Sequence, residues 1–407
     1  MRHAILSIIY GPHAPQRVVL APGQVLRVGS GEKADLQLAK DDSLETIQFE
    51  LDWDGERCEL RHRARSVPTL LDGRPAAQAW AKDGAWIASG ESSFIIHYEL
   101  EPTHADPRPG SESALRLLRA ESSLFAVVDA ARDRRVRTLL QHAIDPHACL
   151  FDGVTATQMA DASAYLVEFV PNSRLLASLV EEGWGQAWAT YFTTTQSFKK
   201  LRRHLRHLLF VDQEGSNERL YFRYYDPRVL RDFIPISPEW QQRELFGAID
   251  AVILEGANGA ALRLHRPAAS EAAEERAAVF VIGKNQLKWF GEKALGDFHR
   301  VMVRYLREAH AHLVSHLGEE ELREWVIAAT NKAIHSGLAT DLEARQLILL
   351  FLVLGVEAGS TLSWVDETLS HPRLTAIDKL QQLFYRARDR QIERLDGIVL
   401  TDVVGDV

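Results

Sequence analysis

The sequence predicts a multidomain α+β protein, and three patterns along the chain lead to this prediction. In residues 1–100, short apolar or alternating runs are separated by turn residues at intervals of about 8 to 12 residues, the spacing of a β-sandwich. Residues 113–267 alternate strand-like and helix-like runs, which predicts a central α/β domain. Apolar residues at helical spacing predict an all-helical C-terminal domain over residues 284–400.

The connections between these parts also have sequence signals. Residues 101–112, EPTHADPRPGSE, are rich in proline, acidic and small residues, which predicts a linker. In the helical part, Thr340 and Glu343 form a capping box ahead of the apolar run LILLFLVL, and Gly355 is well placed to end that helix. This run is much shorter than the roughly 20 residues that span a bilayer.

Composition narrows the classes of function. The chain is 46% hydrophobic and 25% charged, which is typical of a globular protein with substantial cores. A formal net charge of −9 argues against a general nucleic-acid binder but allows a local basic patch. Cys58 and Cys149 are far apart, which favours a reducing compartment over a disulfide framework. Because the N-terminus also lacks a signal-peptide pattern, we expect a cytoplasmic protein with no membrane or nucleic-acid partner.

The segment Arg219–Phe233, RLYFRYYDPRVLRDF, predicts a strand, a turn and a helix. Alternate residues of the strand should face opposite sides: Leu220, Phe222 and Tyr224 on one, and Tyr221, Arg223 and Tyr225 on the other. Asp226 is a good N-cap and Pro227 is tolerated at the first helical position, so we expect a helix to open at this structural motif.

A basic helix is predicted just before this segment, over Ser197–Phe210. Its apolar stripe consists of Phe198, Leu201, Leu205 and Leu208, and the residues that face away are Lys199, Arg202, Arg203 and Arg206. Between Thr190 and Arg231 there are nine Lys or Arg and four Asp or Glu, a local net of +5 that suits an acidic partner surface. A solvated outer face is an equally weighted interpretation of the basic residues.

Two other interpretations are structural rather than functional. Arg223, Asp226 and Arg228 are interpreted first as an internal ion-pair network that fixes the turn, because buried charges must be paired. Trp184 and Trp188 are interpreted first as core residues and second as anchors for a partner.

No pattern for catalysis, a cofactor or a metal is found in the sequence. There is no G-x-S-x-G, no phosphate-binding G-x-x-x-x-G-K-[ST], no H-E-x-x-H and no C-x-x-C. His204 and His207 lie three apart on a helix without an evident third ligand, so we interpret them as surface histidines. We therefore predict a protein that is not an enzyme and carries no cofactor and no metal.

The N-terminal part resembles a forkhead-associated (FHA) domain over about residues 15–98, on the runs VLRVGSGEKADLQL, IQFELDWDG and TLLDGRP. In that family, loops at one end of the sandwich bind phosphothreonine. The family's phosphate-binding positions are occupied here by Ser30, Glu45, Gln48 and Val67. Ser30 and Val67 cannot replace an arginine or an amide donor, and Glu45 adds like charge, so the resemblance implies a degenerate phosphopeptide site.

The central part resembles the type VI secretion effector-adaptor family, long catalogued as a domain of unknown function. The resemblance covers about residues 120–256 and rests on six runs in one order: FAVVDAARD, CLFDG, AYLVEF, GWGQAWATYF, KLRRHLRHLL and FRYYDPRVLRDFIP. It implies a cytoplasmic adaptor or chaperone that binds a cognate secreted effector protein and loads it onto the VgrG spike protein.

The leading hypothesis is therefore a non-enzymatic effector adaptor, and the alternative is a phosphothreonine-reading regulator of secretion. A toxin enzyme is a third hypothesis, which no recognisable catalytic site supports. An adaptor needs apolar anchors with a charged rim. The candidate partner-binding residues are Trp184, Trp188, Arg202, Arg203, Arg206, Tyr221, Arg223, Tyr225 and Arg228.

Overall fold

The computed structural model describes residues 2–100, 107–152, 160–268, 280–355 and 362–389. The chain divides into two compact units, Met1–Gly283 and Lys284–Val407. Residues 101–106 of the predicted linker and residues 390–400 of the predicted helical domain lie outside the described residues.

The first unit begins with a β-sandwich, as the turn spacing predicted. Its strands are β1 Ala4–Tyr10, β2 Gln16–Leu20, β3 Gln24–Gly29, β4 Leu36–Gln37, β5 Phe49–Trp53, β6 Cys58–His62, β7 Leu70–Leu71, β8 Arg74–Pro75, β9 Gln78–Ala81, β10 Trp86–Ser89 and β11 Ser92–Tyr98. One sheet has the order β2-β1-β11-β10-β7-β8 and the other has the order β4-β3-β5-β6-β9.

The alternating pattern of the strands builds the sandwich core. In β5, Phe49, Leu51 and Trp53 are fully buried while the residues between them are partly exposed, as expected when one face of a sheet packs inward. Phe49 meets Phe94 of β11 edge to face, with ring centroids 5.5 Å apart.

The central region combines a six-stranded sheet with helices, which confirms the mixed α/β prediction. Its strands and helices are α1 Ser111–Arg119, β12 Leu124–Asp129, α2 Arg134–Gln141, β13 His147–Cys149, a 3-10 turn Ala160–Ala162, β14 Ala164–Glu168, α3 Arg174–Gly183, β15 Ala189–Thr193, α4 Phe198–His207, β16 Phe210–Gln213, β17 Arg219–Tyr221, α5 Pro227–Ile236, α6 Glu239–Phe246, β18 Ala251–Glu255, β19 Ala261–His265 and β20 Val281–Ile282.

The large central sheet has the order β13-β14-β12-β15-β18-β19, and all of its pairs are antiparallel. A small sheet of order β17-β16-β20 stands beside it. All six residues of β12 are buried, because both faces of the large sheet are covered. Leu124, Ala126 and Val128 share one core with helices α1 to α3.

Polar contacts join the sandwich to the central region within the first unit. Arg17 of β2 donates to the carbonyl of Ala143 at 2.7 Å and bonds the ring of His147 at 2.9 Å. Glu99, just after β11, lies 3.7 Å from the guanidinium of Arg174 in α3. We call this boundary the seam.

The second unit is helical throughout its described residues. Its helices are α7 Lys284–Ala309, α8 Ala311–Val314, α9 Glu319–His335, α10 Asp341–Leu354, α11 Ser363–Leu369 and α12 Ala376–Asp389. The predicted capping box is present at the start of α10, and Gly355 caps its end. The apolar run of α10 is buried among its neighbours. None of the described helices has the length and apolar character of a membrane-spanning segment.

Candidate partner-binding surface

The segment after α4 leaves the sheet earlier than the alternating pattern predicted. Strand β17 ends at Tyr221, and residues 222–225 have no strand pairing. Tyr221 and Tyr225, which the alternation placed on one side, do meet through their hydroxyl groups, but they differ in burial: Tyr225 is 2% exposed and Tyr221 is 42% exposed. The carbonyl of Tyr225 accepts a hydrogen bond from Thr190 at 2.7 Å, and its hydroxyl lies 2.6 Å from the hydroxyl of Tyr221. The buried Tyr225 therefore fixes this segment to the core of the central region.

The turn that follows is built as the sequence predicted. Asp226 is the N-cap of α5, and its carboxylate accepts a hydrogen bond from the backbone N–H of Arg228 at 3.0 Å. Pro227 takes the first helical position, where its missing N–H has no helical partner to lose. This motif fixes the direction in which the chain leaves Tyr225.

Two buried carboxylates and three arginines form an ion-pair network at this turn. Arg223 bonds Asp129, which is almost fully buried. Arg132 bonds Asp226 and lies 3.6 Å from Asp129, and Arg228 bonds Asp226 at 2.8 Å. The interpretation of Arg223, Asp226 and Arg228 as an ion-pair network that fixes the turn is confirmed, with the carboxylates buried and the side chains of Arg223 and Arg228 39% and 55% exposed. These arginines hold the turn in place, so their charge is already paired within the chain.

Two buried carboxyl groups in this region have opposite pKa shifts. Burial alone would raise the pKa of Asp226, but hydrogen bonding and the charges of Arg228 and Arg132 outweigh it and lower that pKa. Glu255 of β18 is also buried, and burial raises its pKa to about 7, although backbone N–H groups, including that of Ala187 at 3.2 Å, partly oppose the shift. The difference follows from the cations at Asp226.

Helix α4 presents three different faces. Leu201 and Leu205 are buried, as the apolar stripe predicted. Arg202 and Arg206 were predicted to face away, but both bond Asp152, and Arg202 also donates to the carbonyl of Cys149 at 2.6 Å. These two arginines therefore fasten α4 to the chain after β13. The same contacts lower the pKa of Asp152.

The third face of α4 is exposed and carries unpaired positive charge. Its residues, which we call the cationic row, are Lys199, Lys200 and Arg203. Among the described residues, the charged side-chain groups of these three residues have no hydrogen-bond or ion-pair partner. An acidic surface on another molecule would complement this row.

An aromatic cluster includes Phe151, the residue directly before Asp152, the ion-pair partner of Arg206. The rings of Phe151, Phe210 and Tyr221 contact one another, with centroids 5.5 to 6.4 Å apart. Phe210 and Tyr221 are each 42% exposed. The guanidinium of Arg219 lies over the ring of Phe210, 5.9 Å from its centroid. We call Phe151, Phe210, Tyr221, Arg206 and Arg219 the arginine–aromatic surface.

The two tryptophans are core residues in this structure. Trp184 and Trp188 are each 2% exposed, and the indole N–H of Trp184 donates to the carbonyl of Gly259 at 2.7 Å. Trp188 packs against Gly183 so closely that a Cβ there would lie 2.5 Å from its ring. Their inclusion among the partner-binding candidates is corrected, since neither ring reaches the surface.

The four positions of the degenerate phosphopeptide site come together at one end of the sandwich. The backbone N–H of Ser30 donates to the carbonyl of Glu45 at 3.0 Å. Gln48 is fully buried, and its amide accepts from the backbone N–H of Glu45 at 3.1 Å and donates to the carbonyl of Val67 at 2.8 Å. The resemblance therefore located one loop cluster from four separate sites in the sequence.

The side chain of Glu45 forms hydrogen bonds within this loop cluster. Its carboxylate accepts hydrogen bonds from the backbone N–H groups of Arg65 and Ser66 at 2.6 and 2.7 Å and from the hydroxyl of Ser66 at 2.7 Å. The Ser66 hydroxyl, followed by the two N–H groups, lowers the pKa of Glu45. A carboxylate of this chain thus occupies donors that an incoming anion would need, and its own charge would repel a phosphate.

One group of side chains among the described residues has the proximity that a metal ion requires. The ligand atoms of Asp83, His97 and His142 all lie within 4.8 Å of one another. His204, in contrast, bonds the carbonyl of Leu245 at 2.9 Å, so it is a half-buried structural histidine rather than a surface one.

Comparison with known proteins gives one family match. Residues 124–244 match the model of the family described as "Domain of unknown function (DUF4123)". This range contains the arginine–aromatic surface, the cationic row and the ion-pair network. No curated protein matches the chain.

Solved structures similar to this chain include several FHA domains. An FHA domain solved in a study of phosphothreonine-dependent interactions has 22% identity and a TM-score of 0.22, covering 25% of this chain and 99% of that one. The FHA domain of CT664 from Chlamydia trachomatis has 17% identity and a TM-score of 0.22, covering 23% and 96%.

The cytoplasmic domain of the type III secretion sorting-platform protein PscD from P. aeruginosa is also similar. It has 19% identity and a TM-score of 0.22, covering 25% of this chain and 82% of that one. Likenesses with such low TM-scores do not transfer a binding property. The sandwich itself is established by the pairing of its own strands.

Of the predicted partner-binding residues, the structure brings Arg206 and Tyr221 into one exposed surface and leaves Arg203 on the neighbouring face of α4. Sequence reasoning missed Phe151, Phe210 and Arg219. Single aromatic residues at strand ends are usually core residues, so only their position beside the basic helix could have singled them out.

Proposed function

We propose that this chain is a non-enzymatic adaptor that binds one cognate secreted effector protein and loads it onto the VgrG spike of a type VI secretion apparatus. The DUF4123 match and the β-sandwich suggest a signalling or adaptor protein. The observation that carries the finer proposal is the arginine–aromatic surface. It lies within residues 124–244, which match the DUF4123 family model.

The composition of this surface suits protein recognition. Binding energy at protein interfaces concentrates in a few aromatic and arginine side chains that become fully desolvated. Phe210 and Tyr221 each leave 42% of their surface exposed, so a partner can bury a substantial apolar area there. Both rings are held in place, Phe210 by Arg219 and Tyr221 by Tyr225, so little side-chain entropy is lost on binding.

The charges around the rings would orient the partner as it binds. Arg206 is paired with Asp152 and lies on the same helix as the cationic row. Unpaired exposed cations raise the rate of association with an acidic surface and disfavour a basic one. The proposed effector therefore presents an acidic rim around an apolar pocket.

Co-purification tests the proposal directly. The full chain carries an affinity tag and is expressed together with the toxin and the spike protein encoded by neighbouring genes. We expect both proteins to be recovered with the tagged chain, and the toxin to be recovered at its full length, since an adaptor does not process its cargo. Recovery of neither protein would overturn the proposal, and so would cleavage of the toxin that depends on this chain.

A further inference from the structure

We infer that the seam between the sandwich and the central region contains a zinc site formed by Asp83, His97 and His142. Asp83 lies in the turn between β9 and β10, and His97 lies in β11, so both belong to the sandwich. His142 is the residue that caps the end of α2 in the central region. A metal ion bound by all three would cross-link these two parts of the first unit.

The orientation of His142 leaves one ring nitrogen available for a metal. Its Nδ1 lies 2.9 Å from the carbonyl of Thr138, and a carbonyl can only accept, so Nδ1 carries the proton. In the neutral ring, the lone pair of Nε2 then points at Asp83 Oδ2, which is 3.3 Å away. Two acceptors in contact repel each other unless a cation lies between them. Zinc-binding histidines commonly donate their second nitrogen to a backbone carbonyl in this way.

The second histidine has an unsatisfied nitrogen facing the same carboxylate. His97 Nδ1 is buried and has no hydrogen-bond partner, and it lies 3.5 Å from Asp83 Oδ1. Two ligands bound to one tetrahedral zinc, each at about 2.0 to 2.1 Å, are separated by about 3.3 Å. The distance from His97 Nδ1 to Asp83 Oδ1, 3.5 Å, and the distance from His142 Nε2 to Asp83 Oδ2, 3.3 Å, are both close to that separation, so each imidazole faces one oxygen of the carboxylate.

The surroundings suit a divalent cation with an open coordination position. The two imidazole rings lie with their centroids 4.5 Å apart, so both rings can reach one ion. Asp83 is exposed, so water can complete the coordination. Arg17, at the same seam, is held by the carbonyl of Ala143 and by the ring of His147. Imidazole and carboxylate together favour zinc over calcium or magnesium.

Zinc titration of the full-length chain, made metal-free with a chelator, tests this inference. We expect the wild type to bind one zinc ion at the seam and its Co²⁺ form to show the visible absorption of a tetrahedral site. His142→Gln, His97→Gln and Asp83→Asn should each weaken zinc binding at least 10-fold, because each removes a ligand. His207→Gln removes an exposed histidine on α4 and should leave the affinity unchanged.

Asp83→Asn is the variant that we expect to fold normally, because Asp83 is exposed. An asparagine oxygen can still accept the hydrogen bond from the backbone N–H of Tyr98, which Asp83 accepts at 2.9 Å. Zinc should also raise the thermal unfolding temperature of the wild type and not that of Asp83→Asn. If the three seam variants bind zinc as tightly as the wild type, or if the wild type binds none, the cluster holds no zinc ion and the inference is wrong.

Discussion

The loop end of the sandwich and the arginine–aromatic surface differ in where their polar groups bond. At the loop end, Glu45 accepts three hydrogen bonds from Arg65 and Ser66. The buried side chain of Gln48 links two loops by bonding the backbone of Glu45 and of Val67. At the arginine–aromatic surface, the buried carboxylates of Asp129 and Asp226 bind arginines, while the rings of Phe210 and Tyr221 remain 42% exposed.

Because of this difference, the arginine–aromatic surface can bind a partner more readily than the loop end can. Donors that are already bonded within the chain must break those bonds before they can bind a ligand, so the loop end gains little from an anion. When a partner covers exposed rings that are already held in place, the rings are dehydrated, but no internal hydrogen bond has to break. We therefore expect recognition by the central region and a scaffold role for the sandwich. Four experiments, in order of decreasing effect, test this comparison.

The largest expected effect is on the network below the arginine–aromatic surface. Asp226→Ala leaves Arg132 and Arg228 without their buried partner, which should lower the free energy of unfolding by about 3 to 5 kcal/mol. Asp212→Ala is the control, because Asp212 pairs with Arg219 at the surface and should contribute less than about 1 kcal/mol. Urea unfolding followed by tryptophan fluorescence measures both. Equal losses in the two variants would show that the network is not structural.

The next effect is on partner binding. Phe210→Ala combined with Tyr221→Ala should weaken binding of the effector by about 2 to 4 kcal/mol, which is the range of interface hot spots. Trp80→Ala is the matched control, because Trp80 is a 52% exposed aromatic residue of the sandwich and should leave binding unchanged. Calorimetric titration with the purified effector measures both affinities. Loss of binding in the Trp80 variant alone would transfer the recognition role to the sandwich.

Glu255 should make the stability of the central region depend on pH. Its pKa is about 7 in the folded chain and 4.5 when unperturbed, so the folded state binds more protons between these values. Its contribution to stability is therefore favourable at low pH and is lost as the pH rises from about 4.5 to about 7, by about 3 kcal/mol. Glu255→Gln should remove this loss and be more stable than the wild type at pH 8.

The wild-type minus variant difference in unfolding free energy, measured from pH 4.5 to 8, isolates this group from the others. Asp226 acts in the opposite direction and in a lower range, because its pKa is lowered: its contribution is present above about pH 4 and is lost on further acidification. A difference that stays constant over the whole range would mean that Glu255 is ionised in the folded chain at acidic pH.

The smallest expected effect is at the loop end of the sandwich. Neither the wild type nor Glu45→Gln should bind a phosphothreonine peptide at high micromolar concentration, because no arginine replaces Ser30 and the N–H groups of Arg65 and Ser66 are already bonded. Fluorescence anisotropy with labelled phosphorylated and unphosphorylated peptides measures this. Phosphate-dependent binding by the wild type would contradict the contrast between the two regions and favour a phosphothreonine reader.

Local signals in the sequence determined much of the chain's local structure. The Asp226–Pro227 turn, the basic helix that begins after Ser197 and the capping box of Thr340 and Glu343 are present as predicted. Each depends on groups within a few residues of one another, such as a side chain and the first N–H groups of its own helix. The alternation of β5 likewise determined which of its residues are buried.

Tertiary structure alone decided which groups meet across long stretches of chain. The contacts of Arg202 and Arg206 with Asp152, the cluster of Phe151 with Phe210 and Tyr221, and the meeting of His97 with His142 each join different elements. The period of a helix or strand states only which side a residue faces. What lies opposite that side depends on how sheets and helices pack, because burial must cover apolar area and pair every buried charge at the same time.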